Sequence, residues 1–135
     1  MIDANKVSLS RFRLDQAKEC LLAADANLSI SLKTSANRSY YCIFHSIRAV
    51  LALDGFDSKK HSGVISEFRR KYVKTGIFDP AMSNMIKQTF TTRNESDYED
   101  FYVVSKEEAM KQTENARDFL ETCERYIEGF LEANT

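Results

Sequence analysis

A long apolar run from Thr34 to Leu53 constrains the fold of this chain more than any other segment. Most of its positions are apolar, and the interruptions are chiefly His45, Ser46 and Arg48. A helix that is apolar on most of its sides must lie at the centre of a bundle or at a subunit interface. The run ends at Asp54-Gly55, where glycine supplies the left-handed residue that closes a helix. The sequence therefore predicts one central helix with several helical neighbours.

Four further helices are predicted from apolar residues that recur at three- and four-residue spacing. Their expected extents are Ser8–Ile30, Ser62–Lys74, a segment that starts at Asp79-Pro80, and Ser105–Leu131. With 4 Gly, 1 Pro and no sustained alternation of apolar and polar residues, the chain lacks the pattern of a β-protein. We therefore expect an all-α fold, an antiparallel up-and-down bundle of about five helices, with residues 1–135 in a single domain.

Two of these helices have specific start signals. Asp79 can accept hydrogen bonds from unpaired amides of the fourth helix, and Pro80 suits the first helical turn. Ser105 and Glu108 have the spacing of a capping box, in which each side chain bonds a backbone amide of the other. An acidic loop that includes Asp97 and Tyr98 is expected between the two helices.

Charge and hydropathy narrow the class of protein. The formal net charge is −1, so the molecule has no overall field that would attract nucleic acid or an anionic membrane. Locally, Phe56–Thr75 holds six basic and two acidic residues, and Glu95–Asp100 holds four acidic and no basic residues. These charges are consistent either with docking of a partner or with ordinary solvated faces. The chain has no apolar run long enough to span a bilayer and no secretory signal pattern, so we expect a cytoplasmic protein without membrane contact.

The three cysteines do not form a chemical motif. Cys20, Cys42 and Cys123 lie far apart at helical positions beside apolar residues. No close pairing suggests zinc or redox chemistry, so free thiols are expected. The chain also has only two histidines, no glycine-rich phosphate loop and no nucleophile elbow. The sequence therefore predicts neither a metal site nor a cofactor.

A polar stripe on the central helix is the first candidate site. Its members lie along one side of an otherwise apolar helix and are Arg38, Tyr41, His45 and Arg48. Burial of such groups without partners costs several kcal/mol, so they must face an acid, a water-filled groove or another subunit. His45 is either a histidine satisfied within the bundle or a catalytic group. The other three are candidates for ligand binding.

The second candidate site is the segment Arg93–Tyr98, at the end of the fourth helix. Arg93 continues the buried stripe of that helix, so it is expected to point inward or toward an interface. An arginine binds phosphate through two nitrogens, and Asp97 or a nearby histidine could orient or accept a proton in phosphodiester cleavage. The alternative is that Arg93 and Asp97 are an ion pair that holds the helix end.

Three blocks in this order resemble the HEPN superfamily, specifically its small stand-alone prokaryotic branch. They are Asn37-Arg-Ser-Tyr-Tyr-Cys-Ile-Phe-His-Ser-Ile-Arg-Ala-Val-Leu51, His61-Ser-Gly-Val-Ile-Ser-Glu-Phe68 and Arg93-Asn-Glu-Ser-Asp-Tyr98. The likeness runs from about Leu14 to Phe130. It implies a helical bundle, a homodimer and pairing with a minimal nucleotidyltransferase.

The resemblance also implies an activity. HEPN relatives include metal-independent ribonucleases that are toxins of toxin–antitoxin pairs, with an arginine and, four to six residues later, a histidine in a cleft between two subunits. Arg93 matches that arginine, but the expected histidine is Tyr98, with Asp97 before it. A phenol has an ordinary pKa of about 10 and is a poor proton acceptor at neutral pH. Arg38 and His45 have the right spacing but lie earlier than the motif is expected.

These observations leave three hypotheses. The first is a toxin-like or accessory HEPN protein that pairs with a nucleotidyltransferase and cleaves RNA through a degenerate motif. The second is an inactive module that binds a nucleotide or RNA at the stripe that contains Arg38 and His45. The third is a structural helical adaptor. A homodimer is expected as well, since the central helix has more apolar surface than one small bundle covers easily.

Overall fold

The computed structural model describes residues 2–134, and these form an all-α bundle without strands. Its helices are α1 (Ala4–Ala26), α2 (Leu32–Ala52), α3 (His61–Phe68), α4 (Ala81–Tyr98) and α5 (Lys106–Ala133). A 3₁₀ turn at Asn27–Ser29 follows α1, and a π-helical segment at Arg69–Val73 extends α3. Because the connection between α1 and α2 is short, the two helices pack as antiparallel neighbours. The all-α bundle of five helices predicted from the sequence is confirmed.

The central position of α2 follows from its apolar composition. It packs against α1, α3, α4 and α5, and its Ile43, Ile47 and Val50 side chains are at most 1% exposed. Phe68 and Phe119 complete the same core. The apolar surface of α2 is therefore covered within one chain. The argument that α2 needs a second subunit to cover it is wrong.

The ends of α1 differ from the prediction because of local capping. The helix starts at Ala4, before the expected Ser8, because the carboxylate of Asp3 accepts a hydrogen bond from the amide of Asn5 at 2.7 Å. It ends at Ala26, before the expected Ile30. Ser31 then caps α2, its hydroxyl accepting from the amide of Thr34 at 3.2 Å.

The start of α4 agrees with the prediction, but its end does not. Asp79 accepts a hydrogen bond from the amide of Ala81 at 2.8 Å and so satisfies one amide of the first turn. The helix then continues through Tyr98, where an acidic loop was expected from Asp97 onward. Arg93 and Asp97 are one helical turn apart and form an ion pair at 3.1 Å, which stabilises this last turn.

Only half of the predicted capping box on α5 is confirmed. The Ser105 hydroxyl accepts from the amide of Glu108 at 3.0 Å. The carboxylate of Glu108 accepts a hydrogen bond from the phenol of Tyr102 at 2.5 Å. The expected turn residue Gly55 has a φ of +73°, which confirms the left-handed closure at the end of α2.

Three further expectations concern cysteines, membranes and metals. Cys20, Cys42 and Cys123 are free and buried, as predicted, and burial raises the pKa of each thiol. Among residues 2–134, no helix is long and apolar enough to cross a membrane. Within the same residues, no group of three or more His, Cys, Asp or Glu side chains has a metal-binding arrangement.

The core makes a first prediction about stability. Phe119 is 0% exposed and its ring contacts that of Phe68. Phe119→Ala should lower the free energy of unfolding by about 3–5 kcal/mol, because the smaller side chain leaves a cavity in the core. Chemical denaturation followed by circular dichroism measures this. The matched control is Phe12→Ala on α1, because Phe12 is 59% exposed and should have little effect. Equal losses in the two variants would contradict the assigned core.

Candidate functional site

Arg93 is the centre of a polar cluster between α2 and α4. Its Nε donates to Oδ2 of Asp97 at 3.1 Å, and the two side chains are only 15% and 16% exposed. Asn37 on α2 donates to the same carboxylate oxygen at 3.1 Å. The Asp97 carboxylate therefore links the two helices and fixes the orientation of the arginine. The ion pair expected from the sequence is present, and it belongs to a larger network.

Three tyrosine rings surround the Arg93 guanidinium. Its central carbon lies 5.2 Å from the ring centre of Tyr40, 5.5 Å from Tyr41 and 5.6 Å from Tyr98. Nη2 also lies 3.5 Å from the hydroxyls of Tyr41 and Tyr98, which is the outer limit of a hydrogen bond. Nη1 has no hydrogen-bond partner among the described residues. This nitrogen is available to an anionic ligand.

Arg38 joins the cluster through Asn37 and Tyr41. Its Nε and Nη2 donate to the side-chain Oδ1 of Asn37 at 3.0 and 2.7 Å, and its guanidinium lies 5.0 Å from the Tyr41 ring centre. Arg38 and Arg93 are therefore both within cation–π distance of Tyr41. Two positive charges and one aromatic ring are held together at this point of the bundle.

His45 lies further along α2 and has a depressed pKa. Burial lowers its pKa to about 4, with help from the charges of Arg48, Arg38 and Arg13. Its Nδ1 is buried without a hydrogen-bond partner in residues 2–134, and its ring centre is 6.1 Å from that of Tyr41. The imidazole is thus neutral at pH 7 and is a weak proton acceptor.

Arg48, at the end of the stripe, faces a different neighbour. Its Nη2 lies 3.5 Å from Oδ2 of Asp57, and Arg13 of α1 donates to the same oxygen at 3.1 Å. The Arg48 guanidinium also lies 5.8 Å from the ring centre of Phe44. Arg48 is therefore partly neutralised by a carboxylate that it shares with a buried arginine.

His61 is the residue that the sequence analysis did not place at a site. It begins α3, and its Nδ1 is 3.1 Å from the hydroxyl of Tyr40. Its ring stacks on Phe44 with 4.0 Å between ring centres. Burial lowers its pKa, and the charges of Arg93 and Arg48 lower it further. The spacing of residues in the sequence does not predict that His61 lies at this site, because the side chains around it, such as Tyr40 and Arg93, come from α2 and α4.

The structure thus brings together five of the seven predicted site residues. These five are Arg38, Tyr41, Arg93, Asp97 and Tyr98. His45 lies beside this cluster, with its ring centre 6.1 Å from that of Tyr41, and it lines a cavity together with Arg38. Arg48 instead contacts Asp57 and Phe44. The arrangement as a whole is a row of cationic and aromatic side chains along one side of α2.

The protein is a helical bundle in which Arg93, in the last turns of α4, packs against two tyrosines of the central helix α2. Comparison with known families agrees with this description. Residues 10–126 match the model of the HEPN domain family, described as "HEPN domain". The chain therefore belongs to the HEPN domain family.

Curated relatives cover most of the chain. A protein of Thermotoga maritima named "UPF0332 protein" is 32% identical over 121 residues, which are 87% of this chain and 90% of the relative. A protein of Methanocaldococcus jannaschii named as a "Putative toxin" is 29% identical over 117 residues, 85% of this chain and 80% of that protein. A second protein of that organism with the same kind of name is 33% identical over 86 residues, 63% of this chain and 64% of that protein.

The depressed pKa of His45 predicts a pH-dependent stability. The unfolded chain binds a proton at His45 near pH 6.5 and the folded chain only near pH 4, so the folded state loses stability as the pH falls through this range. The loss attributable to His45 is at most about 3 kcal/mol. Urea unfolding at pH 7 and pH 4 measures it. His45→Gln should reduce the difference between the two pH values, and an unchanged difference would contradict the assignment.

Proposed function

We propose that this chain is a toxin-like HEPN protein that binds RNA at the cluster around Arg93 and cleaves it without a metal ion. The observation that carries the proposal is the Arg93 guanidinium, which is fixed by Asp97 through Nε and keeps Nη1 unbonded among residues 2–134. A preoriented guanidinium of this kind can stabilise the charge that develops on a phosphate during cleavage.

The surroundings of Arg93 support a nucleic acid as the ligand. Single strands bind best where cations follow the backbone and aromatic faces receive the bases. Arg38 and Arg93 supply cations beside Tyr41, and Tyr98 is 71% exposed at the edge of the same cluster. Because the formal net charge of the chain is −1, the positive charge that would attract RNA is confined to this cluster and does not extend over the whole surface.

The family supports the same proposal. The chain belongs to the HEPN domain family, and two relatives have names that include the word toxin. In the resemblance described above, the catalytic arginine corresponds to Arg93. We therefore expect Arg93 to be the residue whose loss most reduces activity.

A second candidate function, binding of a nucleotide or RNA without cleavage, is favoured by one observation at the same site. Tyr98 occupies the position where the ribonuclease motif has histidine, and its hydroxyl lies 3.5 Å from Nη2 of Arg93. A motif with a phenol in place of the imidazole is suited to binding a nucleotide or RNA without cleaving it. In that case, the pair of Arg93 and Asp97 serves as a structural lock at the end of α4.

Cleavage of total RNA by purified protein separates the two functions. Wild type should cleave with and without a chelator, and Arg93→Ala should reduce the rate by about 100- to 1,000-fold, since it removes the group that stabilises the phosphate charge. His45→Ala is compared in parallel, because an imidazole on α2 is the competing candidate for proton transfer. Growth after induction of each variant gives a second readout.

The control for this experiment is Arg125→Ala, because Arg125 is an exposed arginine on α5. It should cleave like wild type, and Arg93→Ala should keep the circular dichroism spectrum of wild type. If wild type leaves RNA intact under all conditions and does not slow growth, the chain is a binding module and the nuclease proposal is wrong.

The proposal includes a protein partner, a minimal nucleotidyltransferase that controls the toxin-like activity. The resemblance implies this pairing, and acidic side chains at and just after the end of α4 lie close to the site, Glu95, Glu99 and Asp100. Sequencing the genes on either side of this one tests it. An adjacent nucleotidyltransferase frame whose product copurifies with this chain supports the pairing. A neighbourhood without such a frame argues for a chain that acts alone.

We also propose a homodimer, now on the basis of a different surface. After α4, the side chains of Phe101 and Val103 are 103% and 84% exposed, and Tyr98 continues the patch to the site. Phe101 has a φ of +63°, which a bulky residue rarely adopts. An apolar patch of this kind usually marks a protein interface. Because Tyr98 belongs both to the patch and to the Arg93 cluster, a second copy seated here would bring two clusters together.

Light scattering at micromolar concentration tests the dimer. Wild type should have twice the 15.5 kDa mass of the chain. Phe101→Asn should shift the protein toward the monomer, because asparagine tolerates a positive φ but removes the apolar contact. The control is Ile30→Asn, since Ile30 is 78% exposed on the connection between α1 and α2. A wild type that remains monomeric contradicts the dimer.

A further inference from the structure

A cavity of about 470 Å³ opens beside His61. Its wall is formed by Phe44, Arg48, Asp57, Ser58, Lys59 and His61. The lining includes Arg48 and Lys59 together with the Asp57 carboxylate, which Arg13 and Arg48 share. The cavity is therefore suited to an anionic group, and a phosphate with an adjoining sugar fits its volume.

His61 is held in a defined position at this cavity. Its ring stacks on Phe44 at 4.0 Å, and its Nδ1 is paired with the Tyr40 hydroxyl at 3.1 Å. Tyr40 is 1% exposed and Phe44 is 5% exposed, so the His61 ring packs against two buried rings. Such packing preorganises a side chain for chemistry, since its rotamer is fixed before a ligand arrives.

The pairing with Tyr40 also bears on the proton of the imidazole. Burial raises the pKa of Tyr40 to about 12, so its phenol is neutral and its oxygen can accept a hydrogen bond. The hydrogen bond between the Tyr40 hydroxyl and Nδ1 of His61 has two possible directions. With Nδ1–H as the donor, Nε2 is unprotonated and can accept a proton, whereas with the phenol as the donor Nε2 carries the proton. The step proposed below uses the first tautomer. Burial, Arg93 and Arg48 lower the pKa of this imidazole, which favours its neutral form and also makes it a weaker base.

His61 and Arg93 share the same two aromatic neighbours. The Arg93 guanidinium lies 5.2 and 5.5 Å from the ring centres of Tyr40 and Tyr41. The His61 ring lies 6.1 and 5.8 Å from those same centres. The two groups thus flank one pair of rings, although they come from different helices. Their shared contacts with Tyr40 and Tyr41 place Arg93 and His61 in one cluster of side chains.

We propose that His61 is the proton acceptor of this site and supplies the imidazole that the motif at Tyr98 lacks. The proposal rests on the ribonuclease function proposed above. Nε2 of His61 takes the proton of a ribose 2′-hydroxyl, whose oxygen then forms a bond to the adjacent phosphorus. The bond from phosphorus to the 5′-oxygen breaks, and that oxygen takes a proton from water. The products are a 2′,3′-cyclic phosphate and a 5′-hydroxyl end, and Arg48 and Lys59 hold the strand at the cavity.

The first test compares cleavage of a short single-stranded RNA by wild type and His61→Asn. Wild type should yield 2′,3′-cyclic phosphate ends, and His61→Asn should lose about 100-fold or more of the single-turnover rate. His45→Asn is the competing variant. If His61→Asn cleaves at the rate of wild type, His61 is not the proton acceptor, and the proposed ribonuclease function survives. If wild type does not cleave, both proposals are wrong.

The second test does not depend on turnover or on the folding of a variant. The chain has two histidines, so the imidazole NMR signals of wild type can be assigned to His45 and His61. A 2′-O-methyl oligonucleotide, which lacks the reactive hydroxyl, serves as the probe. Saturating probe should shift the signal of His61. A probe that binds without moving this signal, or that moves only the signal of His45, overturns the proposal.

Discussion

The burial of α2 is the constraint on which the rest of the structure depends. This helix packs against every other helix of the bundle, and side chains such as Ile47 are completely buried. Polar groups on so central a helix cannot reach bulk water freely, and leaving them unpaired costs several kcal/mol. Asn37 and Tyr41 are therefore matched by Arg93 and Asp97 of α4. The polar cluster and the apolar core are two results of one packing arrangement.

The same packing explains how a site is assembled from residues far apart in the sequence. The rings of Tyr40 and Tyr41 point from α2 toward groups on two different helices, Arg93 on α4 and His61 on α3. A guanidinium and a neutral imidazole have complementary roles, since one stabilises negative charge and the other accepts a proton. The family motif places only the first of these groups. The second comes from the tertiary structure of this chain.

The sequence predicted the elements whose signals are local. The apolar run at α2, the Asp79 cap and the Ser105 cap were all correct, because each depends on residues within one or two helical turns. The end of α4 was wrong because the acidic residues suggested a loop, whereas the pair of Arg93 and Asp97 continues the helix.

Sequence patterns did not predict the contacts between segments that are far apart in the chain. In the sequence, His61 belongs only to a segment that resembles the HEPN superfamily, and its spacing does not predict the contact with Phe44. The argument for a dimer through α2 failed for a related reason. The sequence predicted the apolar surface of that helix and its helical neighbours, but not how completely those neighbours cover it.

The central claim is that the cluster around Arg93 is a binding site for single-stranded RNA. Fluorescence anisotropy of a labelled RNA, measured for wild type and Arg93→Ala over a range of salt concentrations, tests it most directly. We predict weaker binding by the variant and a shallower dependence of affinity on salt, because one phosphate contact is lost. Arg125→Ala should bind like wild type. Equal affinity and equal salt dependence of wild type and Arg93→Ala would contradict the claim.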